Sequence, residues 1–264
     1  MQKVGFIGAG NIATAIINGC INGGVLNAGD ITVMDIDQSK LTPFKNLGCG
    51  TVTTTLELAK NCDTLFLTVK PQILDTVLTE LKENIKDTTL IISPVAGAKI
   101  VKINAFLGGN KKIIRVMPNT PLMYGAGATA ITAGEKVTKD ELAFAVKIFS
   151  SLGTAAVVDE NQMDTVTAVS GSSPAFFMRF AKEIINEAVC QGMDEATAKK
   201  LVLSTMAGSA KMAMLSEKSL DELISAVASP GGTTEAGLNK MTAENFDTIT
   251  AGVIKAAADR SREL

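Results

Sequence analysis

The chain has no histidine, no tryptophan and a single tyrosine, at position 124. Without an imidazole, Ser-His-Asp hydrolysis, His-ligated metals and histidine acid–base catalysis are excluded within this chain. Any chemistry must therefore ask little proton transfer of the protein. The four cysteines, Cys20, Cys49, Cys62 and Cys190, stand at uneven spacings with no C-x-x-C. That indicates neither a disulfide framework nor a zinc site, no metal is implied, and the reading is a reducing cytoplasm. Lys and Arg form no basic stripe and the net charge is only −2. Nucleic acid and membrane are therefore not expected partners, and a small molecule is. The apolar run after Lys3 is broken by Gly8, Gly10, Asn11 and Asn18, and no A-x-A site follows, so it is not read as a signal peptide.

What is present is material for a core: of 264 residues, 46% are hydrophobic and 20% charged. The length suits two modest domains. Through residue 160, short β-branched runs alternate with helical patterns, as in βαβ units around a parallel sheet. Strands are expected at 4–7, 31–34, 65–69, 90–92, 113–117, 125–134 and 154–158, with helices over 72–81 and 139–150. From residue 161 the strand signals stop and Ala-rich stretches of helical period take over. Ser173 before Pro174 predicts an N-cap with proline at the first helical position, Ser219 with Glu222 a capping box, and Asp194 another cap. A last helix is expected over 245–262. The expected organisation is thus a sheet domain over 1–160 and an all-helical domain over 161–264. About five helices of such apolar composition lack interior enough to bury their own faces, so a homodimer through them is expected.

Directly after the first strand, Gly8-Ala9-Gly10-Asn11-Ile12-Ala13 reads G-x-G-x-x-A. The first glycine allows the tight turn, the second lets a pyrophosphate approach the backbone, and the small third residue lets helix and strand pack closely. The helix that opens there favours an anion through its free N–H groups and dipole. At the end of the second strand, a carboxylate of Asp35 or Asp37 would hold the ribose hydroxyls of NAD, while Ser39 and Lys40 would suit the 2′-phosphate of NADP. Both nucleotides stay open. Three later strands each run into a proline, at Pro71, Pro94 and Pro118, and should border one crevice. In the helical half, Ser229-Pro230-Gly231-Gly232-Thr233-Thr234-Glu235 combines exposed glycine amides with hydroxyls ahead of a helix, a second anion trap.

Together with that loop, the motifs Arg115-Val116-Met117-Pro118-Asn119-Thr120-Pro121 and Ser170-Gly171-Ser172-Ser173-Pro174-Ala175 and the terminal Arg260-Ser261-Arg262 resemble pyrroline-5-carboxylate reductases over essentially the whole chain. The resemblance implies a Rossmann-type, doubly wound α/β domain followed by an all-α dimerisation domain. It also implies reduction of Δ1-pyrroline-5-carboxylate to L-proline with NADPH or NADH, and homo-oligomers built through the C-terminal helices. By resemblance, Ile7, Gly8, Ala9, Gly10, Asn11, Ile12, Thr68, Val69, Lys70, Pro71, Ala96, Gly97 and Asn119 contact the dinucleotide, beside Asp35. Glu160, Glu217, Ser229, Gly232, Thr233 and Thr234 hold the substrate, with the Thr234 hydroxyl placed to serve the ring nitrogen. Three positions depart from the family pattern: Ser173 where glycine is usual, Ser225 where aspartate is common, and Thr55 where an asparagine often meets the cofactor.

Two other readings compete with this one. Lys182 and Asn186 have the spacing of a β-hydroxyacid dehydrogenase, but Lys182 beside Glu183 reads as a solvated helix face. A nucleotide-binding module without chemistry would have no use for the second anion loop.

Overall fold

In the computed structural model, residues 2–263 are described. Eight strands form one sheet in the order β3-β2-β1-β4-β5-β6-β7-β8. They are β1 Val4–Ile7, β2 Ile31–Met34, β3 Gly50–Val52, β4 Thr64–Leu67, β5 Leu90–Ser93, β6 Lys112–Met117, β7 Gly127–Ala133 and β8 Gly153–Val157. Strands β1 to β6 run parallel, and the near-continuous apolar sequences of β1, β2, β4 and β5 follow from burial on both faces. On one face Phe6, Val33, Phe66, Ile92 and Ile114 pack with α1 (Asn11–Asn22) and α6 (Lys139–Ser150). On the other, Ile7, Leu65, Leu67, Ile91 and Ile113 pack with α3 (Thr55–Asn61), α4 (Leu74–Lys82) and α5 (Ile100–Phe106). Phe6 stacks on Phe66 with ring centroids 4.5 Å apart.

The expected sheet differs from the observed one at its far edge. β7 runs antiparallel to β6. Only residues 118–126 join the two strands, including the 3-10 turn Thr120–Tyr124, and a parallel crossover needs a dozen residues or more. β8 then lies parallel to β7, because α6 supplies the crossover. The sequence pattern also gave no sign of β3, a three-residue edge strand. The strand expected to reach residue 69 stops at Leu67, where Thr68 turns its hydroxyl onto the Ile7 and Gly8 carbonyls.

Five helices fill the C-terminal part: α8 Ser173–Cys190, α9 Glu195–Leu215, α10 Leu220–Val227, α11 Thr233–Ala243 and α12 Phe246–Arg262. Ser173 is not the expected N-cap. The short α7 (Met163–Val166) continues through a π-helical stretch, Thr167–Ser172, directly into α8, and Ser173 is buried within it. Pro174 has no N–H to give an i→i−4 bond, and a widened turn before it accommodates that missing donor. By packing, residues up to Ser172 together with the segment from Ala257 make one compact unit, and Ser173–Ala256 makes another. Composition changes at residue 160, whereas packing changes at 173. Among the described residues no helix is long and apolar enough to cross a membrane.

The caps at Asp194 and Ser219 form as expected. Asp194 accepts from the Thr197 N–H at 2.9 Å, and Ser219 and Glu222 close a reciprocal capping box. The bonded Thr197 amide holds the Asp194 carboxyl below its ordinary pKa, and the Ser219 amide does the same for Glu222. A depressed folded value gives stability that is present above the unfolded pKa and lost as pH falls through the folded one. The thermal midpoint is therefore expected to fall as pH is lowered from about 5 to about 3. Asp194→Asn, which keeps an acceptor but not the charge, should show a shallower fall by calorimetry. Identical slopes for both proteins would contradict this.

Candidate functional site

The sheet order reverses at β1, which has β2 on one side and β4 on the other, and the crevice of such a sheet lies at the carboxyl ends of its strands. The Gly8 turn, the segments 68–71 and 94–97, and Pro118 follow β1, β4, β5 and β6, so they line up along that one edge. Gly8 adopts φ +101°, and a Cβ there would lie 2.6 Å from the Thr68 carbonyl oxygen. Its N–H donates to the Met34 carbonyl at 2.8 Å, which fixes the turn between two strands. The local structure of the turn thus demands glycine at position 8 with or without a ligand.

Gly10 is different. Its backbone is ordinary extended chain, φ −80°, and a Cβ there would meet nothing within 4 Å. Nothing in the protein requires glycine, so the open cradle is what the residue supplies, as the approach of a pyrophosphate requires. Gly10 is also the N-cap of α1 and offers no side-chain acceptor. Thr14 N–H reaches the Gly10 carbonyl, whereas the preceding Asn11, Ile12 and Ala13 amides are the orphan donors of the first turn. A dinucleotide's phosphates fit this arrangement.

The neighbouring expected residues fall as follows. Asp35 is buried and its carboxylate accepts from the Ala9 N–H at 2.8 Å and the Asp37 N–H at 2.9 Å. Val69 packs against the Gly8 turn, and Lys70 is exposed at the start of the 3-10 turn Pro71–Ile73. Ala96 and Gly97 sit in the turn after β5, with Gly97 at φ +74°. Asn119 spends its side chain within the protein: its amide donates to the Ser170 carbonyl and its oxygen accepts from Ala128 N–H. Thr55 is buried and donates its hydroxyl to Glu80 of α4.

Glu160 also has partners within the fold. Its carboxylate accepts from the Ile100 N–H at 2.7 Å, capping α5, and lies 3.5 Å from the Arg115 guanidinium. Arg115, 3% exposed on β6, is the first residue of the 115–121 motif and is not among the expected site residues. Its signal in the sequence is a charge set among the apolar residues Ile113, Ile114 and Val116, and a buried charge needs a partner. Among the cysteines, burial pushes the Cys20 thiol up to about 12 and Cys62 to about 11. Neither is a thiolate nucleophile.

In the second unit, Gly231 takes φ +71° and Gly232 is the N-cap of α11 without a side-chain cap. The glycine amides expected to be uncovered are not: Gly231 N–H donates to Glu235 at 2.8 Å, and Gly232 N–H to the Ser229 carbonyl at 3.0 Å. The loop closes tightly on itself, which consumes those two donors. The orphan amides of this helix start are instead Thr233, Thr234 and Glu235, since Ala236 already bonds back to Gly232. Glu217 and Ser229 are exposed in the segments flanking α10. Lys182 is exposed, and Asn186 gives its amide to Glu183 at 3.2 Å.

Residues 160–264 match the family described as pyrroline-5-carboxylate reductase dimerisation, and residues 3–97 match NADP oxidoreductase, coenzyme F420-dependent. Pyrroline-5-carboxylate reductase of Methanosarcina acetivorans is 35% identical, covering 100% of this chain and 98% of its own. That of Arabidopsis thaliana is 34% identical, over 99% and 95% respectively. The solved reductase of Coxiella burnetii superposes with TM-score 0.94 at 34% identity, over 99% of this chain and 98% of that one. The Plasmodium falciparum enzyme, solved with NADP bound, gives 0.89 at 30% identity, over 99% and 97%. Kinship over the full length of both units, with the nucleotide turn and the second glycine loop in place, makes this chain a member of the pyrroline-5-carboxylate reductase family.

Proposed function

We propose that the protein reduces Δ1-pyrroline-5-carboxylate to L-proline with NADH or NADPH. The observation that carries this reading is a pair of helix starts, at α1 and α11, each led by a glycine without a side-chain cap, in a chain without histidine. One suits a dinucleotide phosphate and the other a small carboxylate. A reduced nicotinamide supplies the hydride. The cyclic imine takes its proton in solution, which makes the ring carbon electrophilic, so hydride addition and that proton together yield the secondary amine. What remains for the protein is placement, which is why a chain without imidazole suffices.

Asn11, Ile12 and Ala13 amides hold the pyrophosphate, and Thr68, Val69, Lys70 and Pro71 with Ala96 and Gly97 border the nicotinamide. Thr233 and Thr234 amides hold the substrate carboxylate, with Ser229 and Glu217 beside the loop. The Thr234 hydroxyl hydrogen-bonds the ring nitrogen and steadies its proton. Glu160 contributes by bracing the turn at 96–100 from its place between Ile100 and Arg115. The change of composition at residue 160 separates nucleotide from substrate functions along the chain.

A second copy completes the molecule. Between residues 173 and 256 only Ser173, Ala181 and Ala198 are buried, while Phe177, Met178, Met214, Leu215 and Leu220 are each more than 60% exposed. So much exposed apolar surface on helices fits a homodimer interface. The enzyme works in the cytoplasm.

Absorbance of the reduced nucleotide should decay when pyrroline-5-carboxylate is added, and Lys182→Ala should retain the wild-type rate. No substrate-dependent decay at high protein concentration would favour a silent nucleotide-binding module. A collapse of turnover in the Lys182 variant would instead revive a hydroxyacid dehydrogenase.

A further inference from the structure

The end of β2 carries the sequence Asp35-Ile36-Asp37-Gln38-Ser39-Lys40, and its side chains are arranged against one of the two nucleotides. NADPH differs from NADH by a 2′-phosphate on the adenosine ribose, and at this position of a doubly wound sheet that group meets the loop after β2. A bound phosphate needs donors. The stretch offers the Ser39 N–H, the Ser39 hydroxyl and the Lys40 ammonium, while the Gln38 side-chain amide is spent on the Asp35 backbone carbonyl at 3.0 Å.

Those of Ser39 and Lys40 are turned onto the protein's own carboxylates. Ser39 donates to Asp37 Oδ1 twice, from its amide at 3.1 Å and its hydroxyl at 2.6 Å. Lys40 Nζ lies 3.8 Å from Asp35 Oδ1 and 3.9 Å from Asp37 Oδ2. Asp35 is anchored by the Ala9 and Asp37 amides, so it is held in place beside the phosphate turn. The Asp37 side chain is about half exposed, 48%. Two carboxylates and one ammonium leave the loop with a net negative charge. Independently, Ile36 is 86% exposed on the same loop, an apolar side chain that nothing in the fold covers and that suits the face of a purine.

We infer that Asp37 is the specificity-determining residue of the nucleotide site, and that this chain binds NADH in preference to NADPH by accepting a ribose hydroxyl and repelling a 2′-phosphate. The inference rests on the nucleotide-binding reading of the Gly8–Gly10 turn. Two carboxylates that engage Ser39 and Lys40 disfavour the phosphate both by repulsion and by withholding those donors from it. Raising the salt concentration should narrow the preference, because the exposed Asp37 charge is screened.

The test is direct binding, read from the nucleotides' own fluorescence on titration of the full-length protein. NADH is expected to bind at least tenfold more tightly than NADPH. Asp37→Ser frees Ser39, leaves Lys40 only Asp35 as partner, and should shrink that ratio at least fivefold, chiefly by tightening NADPH. Asp37→Asn keeps an acceptor for the Ser39 amide without the charge and should move the ratio in the same direction. Equal or tighter binding of NADPH by the wild type would overturn the proposal, as would an unchanged ratio in both variants. Binding of neither nucleotide to the wild type would overturn the site assignment itself, and this inference with it.

Discussion

Gly10→Ala is expected to lower dinucleotide affinity by about a hundredfold, about 3 kcal/mol of binding free energy, while leaving the fold intact. The methyl group would meet no protein atom within 4 Å, and the φ of −80° at this N-cap is open to alanine. The stability cost is that of exchanging one cap residue for another, a few tenths of a kcal/mol up to about 1. The methyl does, however, enter the space through which a pyrophosphate must approach the Asn11 to Ala13 amides. Fluorescence titration with reduced nucleotide and a thermal melt on the same sample separate the two effects. Gly8→Ala is the contrasting control. At φ +101°, with a Cβ 2.6 Å from the Thr68 carbonyl oxygen, it should lose both binding and stability. The positive φ alone costs about 1–3 kcal/mol in a residue with a Cβ. If Gly10→Ala bound nucleotide as the wild type does, the turn would be a strand-to-helix connection and nothing more.

The second large effect is expected at Gly232. Valine there would place Cβ 2.5 Å from the Ser229 hydroxyl and 2.9 Å from its carbonyl oxygen. The loop that bonds Gly232 N–H to Ser229 and Gly231 N–H to Glu235 cannot close around it. The start of α11 would then present the Thr233 and Thr234 amides from a displaced position. The expected result is a KM for pyrroline-5-carboxylate raised at least tenfold, about 1.4 kcal/mol, with nucleotide dissociation constants unchanged. Equal losses for substrate and nucleotide would count against the loop as the carboxylate site. Because Gly232 lies at a helix start on the surface of the second unit, a melt of the variant distinguishes local displacement from unfolding.

These two glycines also mark how far the sequence could be read. Spacing alone identified the Gly8–Gly10 turn, and the strands at 4–7 and 31–34 and the helix at 139–150 have the bounds observed. Buried parallel strands are continuous apolar runs bounded by turn residues, a local pattern that survives in one dimension. Spacing did not tell Gly8 from Gly10. One is demanded by Thr68, 60 positions away, and the other by nothing in the protein. Likewise the serine, glycines and threonines of residues 229–234 marked an anion loop, but the loop's internal bonds decided that the Thr233 and Thr234 amides, not those of the glycines, remain for a ligand.

Asp35 makes the same point in electrostatic terms. As a letter after β2 it was a candidate for ribose hydroxyls; in the fold it fastens the Ala9 amide across 26 positions of chain. Asn119 and Glu160, expected at the ligands, brace the loops through Ser170, Ala128, Ile100 and Arg115.

By itself the sequence excluded imidazole chemistry and marked the two glycine-led helix starts, since both are properties of local composition, while the reaction followed from the motifs' resemblance to a family. It determined the alternation of strands and helices for the same reason. The direction of β7, the loss of a cap at Ser173, and the choice of which donors and carboxylates stay free were decided only in three dimensions. A polar group's availability depends on whether a partner, often distant in the chain, has already taken it.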